Sequence, residues 1–361
     1  MRTRAMRTVV YKVDPEHPNP EVIRASAQVL RGGGLVAFPT ETVYGLGALA
    51  SDPRAVLRVF EVKRRPPDNP LILHICEVDQ LFELANRVPE DALKLAEKFW
   101  PGPLTLVLSK SPRVIKEVTG GLEKVAVRMP AHPVALALVK EVGEPIAAPS
   151  ANISGRPSPT EAQHVIEDLY GLVEVIIDAG ETVHGLESTI IDMTTDPPTL
   201  LRPGALPVDA VEAALGRRVA IPGFARGLGE AEAALAPGTK YRHYAPRAPM
   251  VVVESSDYGD LSRVVAAVSE LAREKMAEGL RVCILCTEET KPAYSGLQAI
   301  TLCLGSRGEV FSIARRLFKV LREADATGCE FIVAEGLEER GLGLAIMNRL
   351  RKASGFRIVR I

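Results

Sequence analysis

Cysteine is scarce and scattered: Cys76, Cys283, Cys286, Cys303 and Cys329 are the five in 361 residues. An odd, dispersed set excludes a disulfide framework. Cys283 and Cys286 form a CxxC, but inside the apolar run Val282-Cys283-Ile284-Leu285-Cys286. No second pair or histidine cluster stands near it to complete a zinc site, so these read as core cysteines. No run of about 18 apolar residues exists, and no membrane span is expected. The basic start Met1-Arg2-Thr3-Arg4-Ala5-Met6-Arg7 has no apolar region behind it. A signal peptide is therefore not expected, a cytoplasmic address is, and Met6 is an alternative start. Neither sign of charge dominates: 44 Lys and Arg against 45 Asp and Glu leave a formal net charge of −1. That excludes a strongly basic nucleic-acid binder, while a local basic patch stays open. Gly32-Gly33-Gly34 is not followed by GxxxxGK[ST], so the chain has no P-loop there. Internal repeats, coiled coil and low-complexity tracts are absent as well.

What is present is an ordinary globular balance, 47% hydrophobic and 25% charged, in a chain long enough for two domains. Buried-type strands at 8–13, 34–38, 71–75, 104–108, 125–129, 145–148, 173–178, 188–193 and 199–202 alternate with helical patterns. The run at 21–31 stops at the glycine triplet, and Ser51-Asp52-Pro53 opens another helix. This predicts an α/β domain over 1–221, with a mixed sheet because its last strands are short and closely spaced. Residues 222–249 are rich in Pro and Gly and read as a linker, yet Lys240-Tyr241-Arg242-His243-Tyr244-Ala245-Pro246 is too basic and aromatic for a neutral spacer. From 250 to 361, strands and helices alternate again, which predicts a smaller doubly wound parallel sheet.

One stretch organises the first domain: Phe38-Pro39-Thr40-Glu41-Thr42-Val43-Tyr44-Gly45-Leu46-Gly47. The strand before it stops at Pro39, which cannot donate to a ladder. Two hydroxyls, a carboxylate and a phenol follow, and Gly45 and Gly47 allow a turn or a close approach to a ligand. Taken alone, an ordinary turn and a ligand site are equally good readings. Other polar residues also fall at strand ends: Lys63, Arg65, Asn69, His74, Arg128, Ser150, Asn152, Ser188 and Arg202. Each has a plain structural reading. Lys63-Arg64-Arg65 suits a helix end. His74 suits a hydrogen-bonded core, Arg128 and Arg202 suit surface pairs, and Ser150 and Asn152 suit caps. Together they imply cations gathered around a cleft, suited to phosphates and carboxylates. No acid pair and no nucleophile–base pair emerges, so the chemistry implied is electrostatic: two anionic reactants held together and charge stabilised on phosphorus.

The order of these motifs resembles the YrdC family. Phe38 to Gly47, Lys63-Arg64-Arg65 with Asn69-Pro70-Leu71, and Pro149-Ser150-Ala151-Asn152 carry the likeness, supported by Trp100-Pro101-Gly102-Pro103-Leu104-Thr105, Val127-Arg128-Met129-Pro130, Glu187-Ser188-Thr189-Ile190 and Leu201-Arg202-Pro203-Gly204. The tail is similar to the family's long form, in which a linker precedes a Rossmann-like domain. The resemblance implies a nucleotidyltransferase, a threonylcarbamoyl-AMP synthase. It would take L-threonine, bicarbonate and ATP with Mg²⁺ and release pyrophosphate. A partner transferase would then act on tRNA, with weak tRNA contact to this chain as an option. By the same resemblance the KxR and SxN pairs, Lys63/Arg65 and Ser150/Asn152, are the expected catalytic groups. Thr40, Thr42, His74, Arg128, Ser188 and the Ala148 backbone would hold threonine. Lys63, Arg65, Asn69, Thr119, Ser150, Asn152, Ser158, Arg202 and Tyr244 would hold ATP, Tyr244 as a lid over the cleft; no protein metal ligand is implied. Which of Thr40 and Thr42 faces substrate stays open. Two rival functions stand beside this one: a non-catalytic RNA-binding protein, and an adenylating enzyme for another amino acid.

Overall fold

The computed structural model describes residues 6–240 and 243–361, in two compact units. The first holds the described residues up to 154, 158–222 and 231–240; the second holds 155–157, 223–230 and 243–361.

The first unit is built on ten strands: β1 Val9–Lys12, β2 Val36–Phe38, β3 Gly45–Leu49, β4 Ile72–His74, β5 Leu104–Ser109, β6 Lys124–Arg128, β7 Ile146–Ala148, β8 Val175–Asp178, β9 Thr189–Asp192 and β10 Thr199–Arg202. They form one mixed sheet in the order β1-β8-β2-β3-β7-β4-β6-β5-β9-β10. β2 runs parallel to β8, and β4 to β6, while β3 and β7 are antiparallel inserts between them. One face packs Val36, Phe38, Leu49, Ile146 and Ile177 against helices Pro20–Arg31 and Pro133–Val142, through Ile23, Leu30, Leu138 and Val139. Each such side chain contributes about 1.5–3 kcal/mol on burial. Helix Pro53–Lys63 starts where Asp52 accepts from the amides of Arg54 and Ala55, the cap its sequence predicts.

Gly45 and Gly47 are not in a turn. They lie in β3, paired with Phe38 and Val36 of β2. A Cβ on Gly47 would stand 2.9 Å from the Phe38 ring and 2.8 Å from the Ile146 side chain. Close packing under Phe38, not backbone freedom, accounts for both glycines. Apolar alternation does not reveal a strand whose first and third positions are glycine.

The second unit holds β11 Met250–Glu254, β12 Val282–Cys286, β13 Ile300–Cys303, β14 Phe331–Glu335 and β15 Ile358–Arg360, all parallel in the order β13-β12-β14-β11-β15. The last strand is short and half-polar, which hid it in the sequence. Cys283 and Cys286 are buried in β12. The segment read as one linker is divided: 223–230, including a helical turn Gly223–Arg226, belongs to the second unit, and 231–240 belongs to the first. Of the basic-aromatic run at its end, Tyr241 and Arg242 lie outside the described residues. Among the described residues no helix is long and apolar enough to cross a membrane.

Candidate active site

The loop after β2 is a hub. Tyr44 N donates to Pro159 O at 2.9 Å, Ala151 N to Tyr44 O at 2.8 Å, Leu46 N to Pro149 O at 2.8 Å, and His184 N to Glu41 O at 2.8 Å. The Tyr44 hydroxyl donates to Gly180 O at 2.7 Å and accepts from Ala179 N at 3.2 Å. Pro39 ends the strand, and the chain then tightens on Thr40, whose Oγ1 accepts from the amides of Thr42 and Val43 at 3.2 Å each. These bonds fix Tyr44 and Leu46 against Pro149 and Ala151 and fold Thr40 to Val43 into a tight turn.

Proton counting settles the two threonines. Thr40 Oγ1 lies 2.6 Å from Val43 O, and a carbonyl only accepts, so Thr40 spends its one proton there. The 2.8 Å contact between the hydroxyls must then have Thr42 donating. Thr42 Oγ1 in turn accepts from Arg128 Nη1 at 2.9 Å. Thr40 therefore builds the turn, and Thr42 is the hydroxyl presented to Arg128.

Arg128, 4% exposed at the end of β6, is the centre of this corner. Its Nε donates to Gly102 O at 3.2 Å and its Nη2 to Glu41 Oε1 at 2.5 Å. A guanidinium carries five N–H groups, and these bonds with Thr42 use three; two remain. Glu41 is 4% exposed, and its Oε2 is buried with no hydrogen-bond partner. His74 sits edge-on to Phe38, its Nδ1 3.2 Å from Ile72 O. Burial first, and the Arg128 charge second, push its imidazole down to about 3, so it is neutral near pH 7. Burial also lowers His132 and His184, while the Glu41 carboxylate opposes the shift in both.

A second set of groups holds cations by carbonyl oxygens. Helix Pro53–Lys63 ends at Arg64 in the left-handed region, φ 52°, which turns Arg64 to solvent and both neighbours inward. Lys63, 1% exposed, donates through Nζ to the carbonyls of Ser150 and Asn152. Arg65 donates to Asn69 O at 3.1 Å and Pro70 O at 2.9 Å. The Lys-x-Arg spacing is thus a consequence of the helix stop. On the far side, Arg202 Nη2 donates to Ser188 O at 2.9 Å and Ser188 Oγ at 3.2 Å, and Ser188 Oγ lies 2.7 Å from Thr105 Oγ1. Ser158 Oγ donates to Glu187 Oε1 at 2.7 Å. Residues 100–104 tie this side to Arg128: Gly102 O accepts from it, and Pro103 O accepts from Thr189 N at 3.0 Å. Carbonyl oxygens hold these cations in place through their N–H donors.

This arrangement coincides with a known family. The model described as "Telomere recombination", covering Sua5, YciO and YrdC proteins, matches residues 28–204, and "Threonylcarbamoyl-AMP synthase, C-terminal domain" matches residues 207–355. Threonylcarbamoyl-AMP synthase of Pyrococcus abyssi is 53% identical over 340 residues, 94% of this chain and 96% of that one. The Bacillus subtilis protein of the same name is 45% identical over 343 residues, 95% of each. The chain belongs to the threonylcarbamoyl-AMP synthase family. A crystal structure of the P. abyssi family member Sua5, complexed with L-threonine, superposes with a TM-score of 0.91 at 52% identity, covering 98% of this chain and 100% of that one.

Set against the residues expected for this family, the first unit brings together Thr42 with Arg128, Lys63 with the backbone of Ser150 and Asn152, Arg65 with Asn69, and Ser188 with Arg202. Ala148 is a core residue of β7, available only through its backbone. Thr119 closes a helical turn with its hydroxyl 3.3 Å from Lys116 O. Asn69 is 1% exposed, and its Oδ1 has no hydrogen-bond partner. Tyr244 lies in the second unit, 4% exposed, with Phe318 stacked at 5.1 Å and the Arg349 guanidinium 5.3 Å from its ring centroid. Four groups had no role assigned from the sequence: Glu41, Thr105, Glu187 and His184. Glu41 had a signal, a carboxylate between two threonines at the end of a buried strand. Thr105 and Glu187 stand in motifs of the resemblance, but their partners Ser188 and Ser158 are brought to them only by the fold, and His184 gave no signal at all.

Proposed function

We propose that this chain joins L-threonine, bicarbonate and ATP into L-threonylcarbamoyl-AMP, releasing pyrophosphate and water. The observation that carries the reading is Arg128, buried beside Thr42 with two N–H groups uncommitted. That is a fork for the threonine carboxylate. Thr42 Oγ1 keeps one lone pair for a substrate N–H or hydroxyl, and Ser188 with Thr105 offers hydroxyls on the other side. Neutral His74 and the Ala148 backbone border the same amino acid.

ATP takes the cationic side, on Lys63, Arg65, Asn69, Thr119, Ser150, Asn152, Ser158 and Arg202. Lys63, Arg65, Ser150 and Asn152 stand at the reacting phosphates and serve as the catalytic groups. The carbamate oxygen of threonine attacks the α-phosphorus, so the protein supplies no nucleophile. Its work is to hold two anions in line and to offset charge as pyrophosphate leaves. Mg²⁺ enters as part of the substrate MgATP and would screen its phosphates. The product is a labile mixed anhydride, consumed by a transferase that modifies tRNA in the cytoplasm; direct tRNA contact with this chain would be weak.

The test is incubation with ATP, bicarbonate and each amino acid, with pyrophosphate and adenylate followed by mass spectrometry. Threonine-dependent adenylate is expected, with little from serine or valine. Equal turnover with another amino acid would replace the substrate. Salt-sensitive RNA binding without any turnover would reject the enzyme.

A further inference from the structure

A site for an amino acid must satisfy two opposite charges, and only one of them is covered by the Arg128 fork. Glu41 supplies the other. Its Oε1 is held by Arg128 Nη2 at 2.5 Å, while Oε2 is buried and unpartnered. A buried carboxyl oxygen without a donor costs free energy on the order of 1–3 kcal/mol, and such a group is tolerated where a ligand completes it. The imidazoles that face Glu41, those of His132 and His184, are both lowered by burial, so neither is a standing cationic partner for Oε2 near pH 7. Two open N–H groups on Arg128 and one open oxygen on Glu41 sit on a single ion pair. That is the complement of a zwitterion, carboxylate to arginine and ammonium to glutamate.

We propose that Glu41 Oε2 binds the α-ammonium of the substrate and is the base that takes its proton during carbamate formation. The proposal rests on the threonine reading above and adds the step before nucleotidyl transfer. A protonated amine has no lone pair and cannot attack carbon. Overall, R–NH₃⁺ and HCO₃⁻ give R–NH–COO⁻, water and one H⁺. The N–C bond forms, a C–O bond of bicarbonate breaks with its oxygen leaving as water, and the net proton passes from nitrogen to Glu41 Oε2 and then to solvent. Arg128 holds Glu41 and the substrate carboxylate at once, so nitrogen and carboxylate are positioned by one pair.

The experiment uses the full chain and Glu41→Gln, which keeps the size and one acceptor but removes the base. The forward reaction, threonine-dependent pyrophosphate release with bicarbonate, is expected to fall at least ~100-fold in kcat, the scale of one general base. The reverse reaction starts from synthetic threonylcarbamoyl-AMP and pyrophosphate and yields ATP. It needs no amine deprotonation and should keep its rate within about three-fold, while Glu41→Asp should restore part of the forward rate. An unchanged forward rate in Glu41→Gln overturns the proposal. So does an equal loss in both directions, which would make Glu41 a scaffold for Arg128. Failure of the wild-type chain to make any adenylate would instead remove the function it rests on.

Discussion

Two buried glutamates, one in each unit, have opposite surroundings. Glu335, 0% exposed at the end of β14, is fully bound: Tyr294 OH donates to Oε1 at 2.6 Å, and Arg307 Nη2, Thr287 N and Thr287 Oγ1 reach Oε2 at 3.0, 3.3 and 3.3 Å. Glu41, 4% exposed, has one oxygen bound and one bare. Both carry an arginine, so charge alone does not separate them. Satisfaction does. A closed network in a low-dielectric interior fixes one packing of the carboxyl edge of the parallel sheet. An open one stores a binding demand, which is what a site for a small zwitterion requires. Both edges look polar in the sequence, and only the count of donors distinguishes scaffold from site.

The largest effect that would break the comparison comes from Arg128→Ala. It leaves Glu41 a buried charge without its partner, which costs about 3–5 kcal/mol of stability. It also removes the carboxylate fork, so kcat/KM for threonine should fall at least ~10³-fold, the scale of a lost buried charge pair. Pyrophosphate release titrated with threonine reads both kcat and KM. An unchanged threonine dependence in the folded variant would make Arg128 as structural as Arg307.

Glu335→Leu is the converse. Arg307, Tyr294 and Thr287 lose a shared acceptor, and denaturant unfolding of the second unit should weaken by roughly 2–4 kcal/mol. Threonine-dependent turnover per folded molecule should stay within about two-fold. A loss of turnover with stability intact would assign the second unit a chemical role that its closed network argues against.

How much of this was legible in the sequence follows from the same distinction. Lys63, Arg65, Ser150, Asn152 and Arg128 were visible because strand ends and a helix stop are local signals. The purpose of their spacing was not. The left-handed turn at Arg64 that sends Lys63 and Arg65 inward is a backbone event. So is the seat of Lys63 on two carbonyls about ninety residues away in sequence. The mixed sheet was legible, but β3 was not, because its glycines are chosen by Phe38 and Ile146 across the sheet. Glu41 was in plain view, yet its bare oxygen is a tertiary fact.

A pH scan sharpens the comparison less strongly. The folded-state value of His74 is lowered from 6.5 to about 3, and His132 and His184 shift in the same direction. Between the folded and unfolded values the unfolded chain binds more protons, so stability is present above pH 6.5 and is lost as pH falls toward 3. Each fully effective histidine contributes up to about 1.4 kcal/mol per pH unit in that window. Replacing His74 with Asn should flatten the slope of unfolding free energy against pH between 6 and 4 by that amount. An unaltered slope would mean that His74 is solvated and charged in the folded protein, and the neutral wall drawn for the amino-acid corner would be wrong.

The smallest effect tests the hub loop from within. Tyr44 is three residues from Glu41 but belongs to the satisfied class: its hydroxyl both donates, to Gly180 O at 2.7 Å, and accepts, from Ala179 N at 3.2 Å. Burial pushes its phenol well above the ordinary tyrosine value, so it stays protonated and can only act as this bridge. Tyr44→Phe keeps the ring and strands two backbone groups, for a cost of about 1–2 kcal/mol. The denaturation midpoint should fall with the slope unchanged, and turnover per folded molecule should stay within about two-fold. If turnover dropped as far as in Glu41→Gln, the loop would be acting as one unit, and the difference between the two glutamates would reflect loop rigidity and not the bare oxygen.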